Sequence, residues 1–480
     1  LARSEQKVIV VEKGPYLKDK DLNQREHDML SQLFERRAAI TSMNGSVSVF
    51  AGSGMGGGTL INWAGAFRTP DYILHEWATE HGNPHFIDPE YIKCFEAIEK
   101  RTGINTKLKR HNPQNQALLD GCQKLGYHAE QIPRNELVEG YENGEDNILW
   151  KKCGYGTLGD SFGQKQSTTK TFLQDASDYG AILMPNTEAE TITISNGNAN
   201  GVLCYQTDDS RQKHEIQIKA KKVVVAAGAI HTPALLMRSG LQHKQIGKNL
   251  YLHPTIGVLG LYNKPMDPWY GPMMSVVSDE FTHLDGNFGF KLETPPVHCG
   301  LMALATSWTS GQQYKQDMLL ARNFGMFIIL TRDKYGGHIS LSKNKRPLLH
   351  YSLHRYDRKH MIKGVQEAAR IHAAANAQEV RIAHNQPATY TPDTQDLDKF
   401  IASIARKNWN MNRYGLYSAH QMGTCRMGGD ANEYPLKPNG ETREVKNLYV
   451  ADASAFPKCS GANPMLSIQA LAYYIAQGLK

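Results

Sequence analysis

Two segments near the end of the chain carry side chains that could do chemistry. SAHQMGTCRMGG contains His420, and CSGANPMLSIQ contains Asn463. An imidazole can take up or release a proton near neutral pH, whereas a carboxamide can only donate and accept hydrogen bonds. Each also has a structural interpretation. A lone histidine among small residues is often a hydrogen-bonded part of the fold, and an asparagine before Pro464 is often a helix cap.

The strand between these segments indicates where their side chains lie. NLYVADAS ends at Asp452, and in open α/β folds ligands bind at the carboxyl ends of the parallel strands. We therefore expect Asp452 at the ligand-binding edge of a sheet, with His420 and Asn463 on the segments at either side.

A glycine-rich stretch at residues 52–58 matches the pattern G-x-G-x-x-G, but its context is wrong for the first turn of a dinucleotide-binding unit. The preceding SVSVF is short and half polar, and no uninterrupted helix pattern follows. KVIVVEKG, at residues 7–14, is instead typical of the second strand of such a unit, ending on the acidic Glu12. The first strand and its glycine turn are thus expected to precede Leu1, and the chain is expected to be truncated at its start.

Composition excludes several classes of protein. The chain has 480 residues and a net charge of +7 without a long basic run, which favours a solvated surface over a nucleic-acid or anionic-membrane patch. It contains no apolar stretch of the ~18 residues needed to span a bilayer, and no signal peptide is visible. Its seven cysteines never have C-x-x-C spacing, so we expect reduced thiols in an intracellular compartment, without a disulfide framework or a metal site.

The hydrophobic pattern divides the chain into two kinds of segment. Continuous apolar runs at 7–14 and 222–227 and in NLYVADAS are typical of buried parallel strands. Within 286–355, GFKLET, MFIILTRD, GHISLS and LLHYSL predict an antiparallel meander. A helix capped by Asp357 is expected to follow, and Gly180 is expected to end an earlier helix. The chain is predicted to be α/β, and α+β overall, with a substrate domain inserted into a discontinuous cofactor domain.

Five motifs, in one order along nearly the whole chain, resemble the glucose-methanol-choline oxidoreductases, flavoproteins that bind FAD and mostly oxidise alcohols. The motifs are GSGMGGGTLINWAG, GAIHTPALLMRSGL, IGKNLYLHP, AHQMGTCRMG, and LYVADASAFP followed by GANPM. CGYGTLGDSFGQKQSTTKTFLQDA and HQMGTCRMG look most like the long-chain (fatty) alcohol oxidase branch.

The resemblance implies a fold with a divided cofactor domain. An FAD-binding Rossmann-like domain would comprise residues 1–75, 150–258 and 405–480, with its first βα unit missing. Residues 76–149 would form a helical connecting part, and 259–404 would form the substrate-binding domain on an antiparallel sheet.

The resemblance also assigns cofactor contacts. Residues 52–58 resemble the family's second FAD loop, where glycines let the backbone approach the cofactor; the alternative is a tight turn without a ligand. The loop contacts expected are Gly54, Gly57, Gly58, Thr59 and Asn62. In some members a histidine just before this asparagine binds the flavin covalently, whereas Ile61 stands here, which implies non-covalent FAD.

Outside the loop, Glu12 is expected to accept hydrogen bonds from the adenosine ribose, and Asp452 to lie near the pyrophosphate and ribityl chain. Their alternatives are a surface acid at a strand end and a turn-forming aspartate. The backbone near Ala189 is expected to pass the adenine, and Pro464 and Met465 complete the implied cofactor contacts.

The family's catalytic pair is a histidine and, some 40 positions later, a histidine or asparagine, which His420 and Asn463 match. His420, expected to titrate near neutrality, would take the hydroxyl proton as hydride moves to flavin N5. Asn463 would hold the substrate oxygen and stabilise its developing charge. His231 and His253 are expected to be structural, and Cys425 a packed thiol.

The function implied is oxidation of a primary, long-chain alcohol to the aldehyde, with O2 as acceptor and hydrogen peroxide as product. The alternatives are a dehydrogenase with another acceptor, a non-catalytic relative, and a flavin-containing lyase. The partners expected are a small-molecule alcohol and the electron acceptor, without nucleic acid. The expected location is intracellular, with membrane association possible through residues before Leu1.

Overall fold

The structure is a computed structural model that describes residues 1–141 and 147–480, so part of the predicted polar connector EGYENGEDN lies outside the described residues. Within those ranges, the α-helices are α1 (Glu26–Leu33), α2 (Asp71–Thr79), α3 (Pro89–Thr102), α4 (Pro113–Leu125), α5 (Ile148–Cys153), α6 (Phe172–Asp178), α7 (Gly228–Arg238), α8 (Cys299–Ala305), α9 (Gly311–Leu319), α10 (Arg355–Ala374), α11 (Leu397–Ala405) and α12 (Met465–Gln477). The strands are β1 (Ile9–Val11), β2 (Ile40–Thr41), β3 (Val47–Val49), β4 (Glu130–Gln131), β5 (Ile182–Met184), β6 (Thr187–Ser195), β7 (Asn198–Thr207), β8 (Lys213–Lys219), β9 (Val223–Val225), β10 (Lys248–Leu250), β11 (Thr255–Leu261), β12 (Val276–Ser278), β13 (Phe290–Glu293), β14 (Phe324–Thr331), β15 (Gly337–Leu341), β16 (Pro347–His350), β17 (Glu379–Ile382), β18 (Ala388–Tyr390), β19 (Leu416–Ser418) and β20 (Leu448–Val450). This element content confirms the predicted mixed α/β fold class.

A ten-stranded sheet forms the largest layer of the fold. Its strand order is β2-β3-β19-β11-β14-β13-β12-β4, with β17 and β18 attached beside β11. Every residue of β13 and β14 is buried, because α10 packs on one face of the sheet and a second apolar cluster, which contains Met326 and Ile328, covers the other. The sheet is antiparallel except where β3 runs parallel to β19.

The predicted parallel strands form two separate pairs, β1 with β5 and β9 with β20. The prediction that the runs at 7–14 and 222–227 are buried strands is wrong in its burial. Ile9 is 42% exposed and Val224 is 38% exposed. Within the described residues each of these strands pairs with one other strand, in parallel. Some of their apolar side chains therefore stay exposed to solvent. Both pairs begin near the end of α12, where the Leu479 carbonyl accepts hydrogen bonds from Gln6 and Lys222.

The predicted meander is present as four strands, but they belong to two sheets. β13 and β14 pair within the large sheet, whereas β15 and β16 join β10 in a three-stranded sheet. The strands β2, β3 and β19, from segments predicted to bind FAD, also pair into the large sheet. The domain boundaries given above therefore stay a prediction.

The sequence predicted where α6 ends and which residue caps α10. Gly180, at φ +83°, follows α6 as predicted. The predicted cap of α10 is wrong, because His354, not Asp357, precedes the helix and accepts the backbone N–H of Tyr356. Asp357 lies inside α10, where its carboxylate accepts the backbone N–H groups of Lys334 and Tyr335. No helix among the described residues has both the length and the apolar composition that crossing a bilayer requires.

Candidate functional site

The end of β1 packs directly against the glycine loop at residues 52–58. The Glu12 carboxylate accepts the Gly14 backbone N–H at 2.7 Å, and burial raises the pKa of Glu12. A Cβ on Gly14 would lie 2.5 Å from the Gly54 nitrogen. The structure therefore brings together two of the predicted cofactor residues, Glu12 and Gly54, through a contact that only glycine permits.

One side of this loop is closed and the other is open. A Cβ on Gly52 would lie 2.6 Å from the Gly57 carbonyl carbon, whereas a Cβ on Gly57 or Gly58 would meet nothing within 4 Å. The Thr59 hydroxyl donates to the Gly56 carbonyl at 2.6 Å. Since that bond uses its only proton, Thr59 fastens the loop, and it can offer a ligand only an acceptor.

A buried lysine fixes the segment that follows the loop. The Lys165 ammonium donates to the carbonyls of Leu60, Asn62 and Gly156 at 2.9, 2.9 and 2.7 Å. The residue is 1% exposed, and burial lowers the pKa of Lys165 to about 7. Lys165 therefore connects the segment after the glycine loop to the segment around Gly156. With a pKa of about 7, its side chain changes between the charged and the neutral form near neutral pH.

Replacing Lys165 by methionine is expected to destabilise the fold by roughly 1–3 kcal/mol at pH 8, because the buried carbonyls around its amine lose the N–H groups that reach them. The folded-state pKa of about 7 lies below the unfolded one, so the unfolded state binds more protons between these values. Wild-type stability should therefore gain a component that rises with pH above 7, and Lys165→Met should lack it. Urea unfolding from pH 6 to 9 measures both effects, with the exposed Lys221→Met as control. An unchanged pH slope in Lys165→Met would contradict this prediction.

Asn62 and Asn463 meet at the start of α12. The Asn62 amide nitrogen lies 2.7 Å from the Met465 sulfur; Met465 is the first residue of α12, and Pro464 precedes it. Asn463 is 6% exposed, and its amide donates to the Glu293 carboxylate at 3.1 Å. The predicted residues Asn62, Asn463, Pro464 and Met465 therefore lie in one place.

Several polar atoms at this place have no partner. In the part of the chain that the structure describes, the amide oxygens of Asn62 and Asn463 and Oε1 of Glu293 are buried without a hydrogen bond. Buried polar atoms are rarely left unpaired in native proteins. Together with the open side of the loop at Gly57 and Gly58, they fit a bound polar heterocycle such as the flavin of FAD.

His420 is connected to the segment of Asn463 through a second histidine. His253 Nδ1 lies 3.2 Å from His420 Nδ1, and His253 Nε2 accepts the Gly461 backbone N–H at 3.1 Å. Among the described residues no direct hydrogen bond joins His420 to Asn463, which lies two residues after Gly461. Their convergence on one substrate therefore stays a prediction.

The protonation of His420 differs from the expectation. Burial lowers the pKa of His420 to about 4, so the expected titration near neutrality is wrong, and the imidazole is neutral at pH 7. His253 Nε2 accepts a hydrogen bond from the Gly461 backbone N–H, so the proton of neutral His253 lies on Nδ1 and points at His420 Nδ1. This arrangement favours the His420 tautomer with its proton on Nε2.

Asp452 uses its carboxylate within the protein. One oxygen accepts the Gly228 N–H at 2.9 Å and the Thr232 hydroxyl at 2.5 Å, and the other accepts the Ser454 N–H at 2.7 Å. The carboxylate thus ties the start of α7 to the end of β20, which leaves mainly its backbone for a ligand. Ala189 lies in β6, and its carbonyl accepts a hydrogen bond from Arg238 at 3.3 Å. Among the described residues, no hydrogen bond joins Asp452 or Ala189 to the glycine loop.

Sequence reasoning missed three residues at the site: Lys165, His253 and Glu293. His253 was expected to be structural, but it contacts His420. Lys291 and Glu293 interrupt the apolar strand β13 at positions on one face, and that pair was the available signal. His231 is structural as expected, because it packs with Lys13 and Glu35, and Cys425 is a buried thiol.

Comparison with known proteins finds matches that are named as oxidoreductases and alcohol oxidases. Two sequence profiles described as GMC oxidoreductase match residues 30–255 and 334–472, which confirms the family resemblance. Two long-chain-alcohol oxidases of Arabidopsis thaliana, FAO3 and FAO1, are each 31% identical to the chain over 99% of its length. The chain spans only 65% and 64% of their lengths.

Solved structures show the same fold. Pyridoxine 4-oxidase from Mesorbium loti superposes with a TM-score of 0.72 over 99% of this chain and 94% of that one, at 16% identity. An Aspergillus oryzae formate oxidase variant, studied for FAD modification, superposes with a TM-score of 0.70 over 98% and 93%, at 14% identity.

Proposed function

This chain belongs to the GMC oxidoreductase family, and from that premise we propose that it is an FAD-dependent enzyme that oxidises primary, long-chain alcohols to aldehydes. The electron acceptor proposed is O2, which gives hydrogen peroxide. The observation that supports the proposal is that His253 links the half-buried His420 to the segment of the buried Asn463, while the glycine loop keeps an open side at Gly57 and Gly58.

The cofactor is FAD, held without a covalent bond. Gly54, Gly57 and Gly58 would offer backbone to it, and the unpartnered Asn62 oxygen would accept a hydrogen bond from it. Glu12, at the closed end of the same loop, suits the ribose hydroxyls. When bound, FAD supplies the hydride acceptor.

The side chains would carry the proton and the oxygen. Asn463 holds the substrate oxygen through its amide, and His420 takes the hydroxyl proton on Nε2. For that role the proton of His420 must lie on Nδ1 and face His253, which disrupts the Gly461 hydrogen bond at 3.1 Å. Leaving the buried Gly461 N–H without its acceptor costs about 1–3 kcal/mol, which is less than the ~3–5 kcal/mol that general base catalysis contributes.

A row of apolar side chains supports an apolar substrate. Phe50 and Tyr417 stack with ring centroids 6.1 Å apart, and Gln421, next to His420, donates to the Phe50 carbonyl at 3.2 Å. The Tyr417 hydroxyl reaches the Leu304 carbonyl at 3.4 Å. Leu304 is 73% exposed and Phe50 and Tyr417 are half-buried, so these three side chains place apolar surface area between solvent and the segment of His420. An alkyl chain could follow that surface.

Anaerobic mixing with alcohols of increasing chain length tests the proposal. Hexadecanol and dodecanol are expected to bleach the oxidised flavin spectrum faster than ethanol does, and admitting O2 should restore the spectrum with one peroxide per turnover. Bleaching without peroxide, but with reduction of a dye, would indicate a dehydrogenase instead. A flavin that no alcohol bleaches would overturn the proposed activity.

A further inference from the structure

Glu293 is a buried acid that neither the sequence motifs nor the proposed reaction accounts for. It ends β13, pairs with Val277 of β12 and Ile328 of β14, and is 1% exposed. Ionised carboxylates are rarely buried without paired charges or several donors. Its position in the centre of a sheet therefore calls for a reason other than packing.

The contacts of Glu293 point to Asn463. Oε2 accepts the Asn463 amide N–H at 3.1 Å, whereas Oε1 has no partner among the described residues. Asn463 Nδ2 otherwise has only a contact of 3.6 Å with the Met274 sulfur. Glu293 is thus the one strong acceptor that this amide has within the described chain.

We propose that Glu293 is a positioning residue for alcohol oxidation: its carboxylate fixes the Asn463 amide through one N–H, and the second N–H, which has only the weak Met274 sulfur contact at 3.6 Å, is given to the substrate oxygen. This inference rests on the proposed function. An amide free to rotate presents either its oxygen or its nitrogen to the substrate, and only the nitrogen can stabilise developing negative charge. An amide held by Glu293 presents its nitrogen to the substrate each time.

The surroundings of Glu293 place the pKa of its carboxyl near neutral pH. Burial raises the pKa of Glu293 to about 7, while the Asn463 hydrogen bond and the Lys291 ammonium lower it. Lys291 lies on the same strand and is the charged group that faces Glu293. The strands on either side contribute Val277 and Ile328. Lys291 also faces Glu130 and Asp279, which favour its charged form.

The proposal predicts a pH dependence that belongs to Glu293. As pH falls through about 7, protonation replaces the charged acceptor by a neutral carboxyl, whose hydrogen bond to the Asn463 amide is weaker, so the rate constant for flavin reduction should decline to a lower plateau. His420, with a pKa of about 4, produces a separate decline at more acidic pH. The two limbs can therefore be told apart in one profile.

Glu293→Gln and Glu293→Leu test the proposal in stopped-flow reduction of the holoenzyme from pH 5 to 9. Gln, like the protonated acid, is a neutral acceptor at every pH, so Glu293→Gln should hold one lower rate constant, within about 10-fold of the wild-type plateau at high pH, and lose the limb near pH 7. Glu293→Leu should be at least ~10-fold slower at all pH values with flavin retained. The control is Asp357→Asn, which removes another buried carboxyl with a pKa of about 7 away from the site and should keep the limb.

A second measurement does not depend on turnover. Difference infrared titration of the protein should show a protonated carboxyl band that disappears near pH 7, is absent in Glu293→Gln, and moves to higher pH in Asn463→Ala, because the amide stabilises the ionised form. The Asp357→Asn variant identifies the band of that residue.

The outcomes separate the two proposals. If wild-type flavin is reduced but Glu293→Gln keeps the limb, or Glu293→Leu reduces flavin at the wild-type rate, the role of Glu293 is overturned and the proposed function stands. If no alcohol reduces the wild-type flavin, both proposals are overturned.

Discussion

Replacing His420 by alanine is expected to lower the rate constant for anaerobic flavin reduction by at least ~100-fold, because the substrate hydroxyl loses its proton acceptor. FAD should remain bound, since the only described side-chain contact of His420 is with His253. Single-wavelength stopped flow on holoenzyme measures the rate, and the absorbance ratio of flavin to protein measures cofactor content.

The matched control is His214→Ala. His214 lies on β8, where it pairs with Asp208 at the surface, and its loss should leave flavin reduction unchanged. Burial holds the pKa of His420 at about 4, so protonation removes the acceptor only when pH falls through that value. A His420→Ala protein that reduces flavin within 3-fold of wild type would refute the assignment of His420 as proton acceptor.

The sequence predicted the positions of strands better than their surroundings. The β-branched run at 7–14 does contain β1, yet Ile9 is 42% exposed. Apolar composition predicts an extended segment, whereas burial depends on which strands lie alongside, and that is set by distant parts of the chain. The same limit explains why β15 and β16, which were predicted to continue the meander, pair with β10 in a separate sheet.

The site shows a similar division. The motifs predicted Asn62, Asn463 and Met465 as site residues, and each lies in a segment with strong local signals, a glycine loop or a helix start; the structure adds that the Asn62 amide nitrogen lies 2.7 Å from the Met465 sulfur. Lys165 could not be found this way, since a lysine is normally a surface residue, and only the folded chain provides its three carbonyls.

His253 illustrates a contact that local sequence cannot determine. Its backbone has φ +47°, in the left-handed region, two residues before β11 begins at Thr255. That conformation is sparsely populated by non-glycine residues and persists only when the surrounding structure holds it. The ring then lies between Gly461 and His420, segments that are more than 150 residues away in the chain.

The second large effect is expected at the glycine loop, where two alanine substitutions should act on different properties. Gly58→Ala should fold with normal stability, because a Cβ there meets nothing within 4 Å, yet it should weaken FAD binding at least ~10-fold by filling the space into which the cofactor is proposed to enter. Gly52→Ala should destabilise the folded protein even without FAD, because its Cβ would lie 2.6 Å from the backbone of Gly57.

Gly311→Ala provides the control, because its Cβ also meets nothing within 4 Å but it lies in α9, outside the loop. Thermal unfolding of flavin-free protein and titration with FAD, followed by flavin fluorescence, separate the two properties. Gly311→Ala should match wild type in both measurements, Gly58→Ala should differ only in FAD affinity, and Gly52→Ala should differ in unfolding temperature. Since the free space beside Gly58 is the observation that distinguishes a cofactor cradle from a tight turn, a Gly58→Ala protein with wild-type FAD affinity would mean that the cofactor does not lie against this loop.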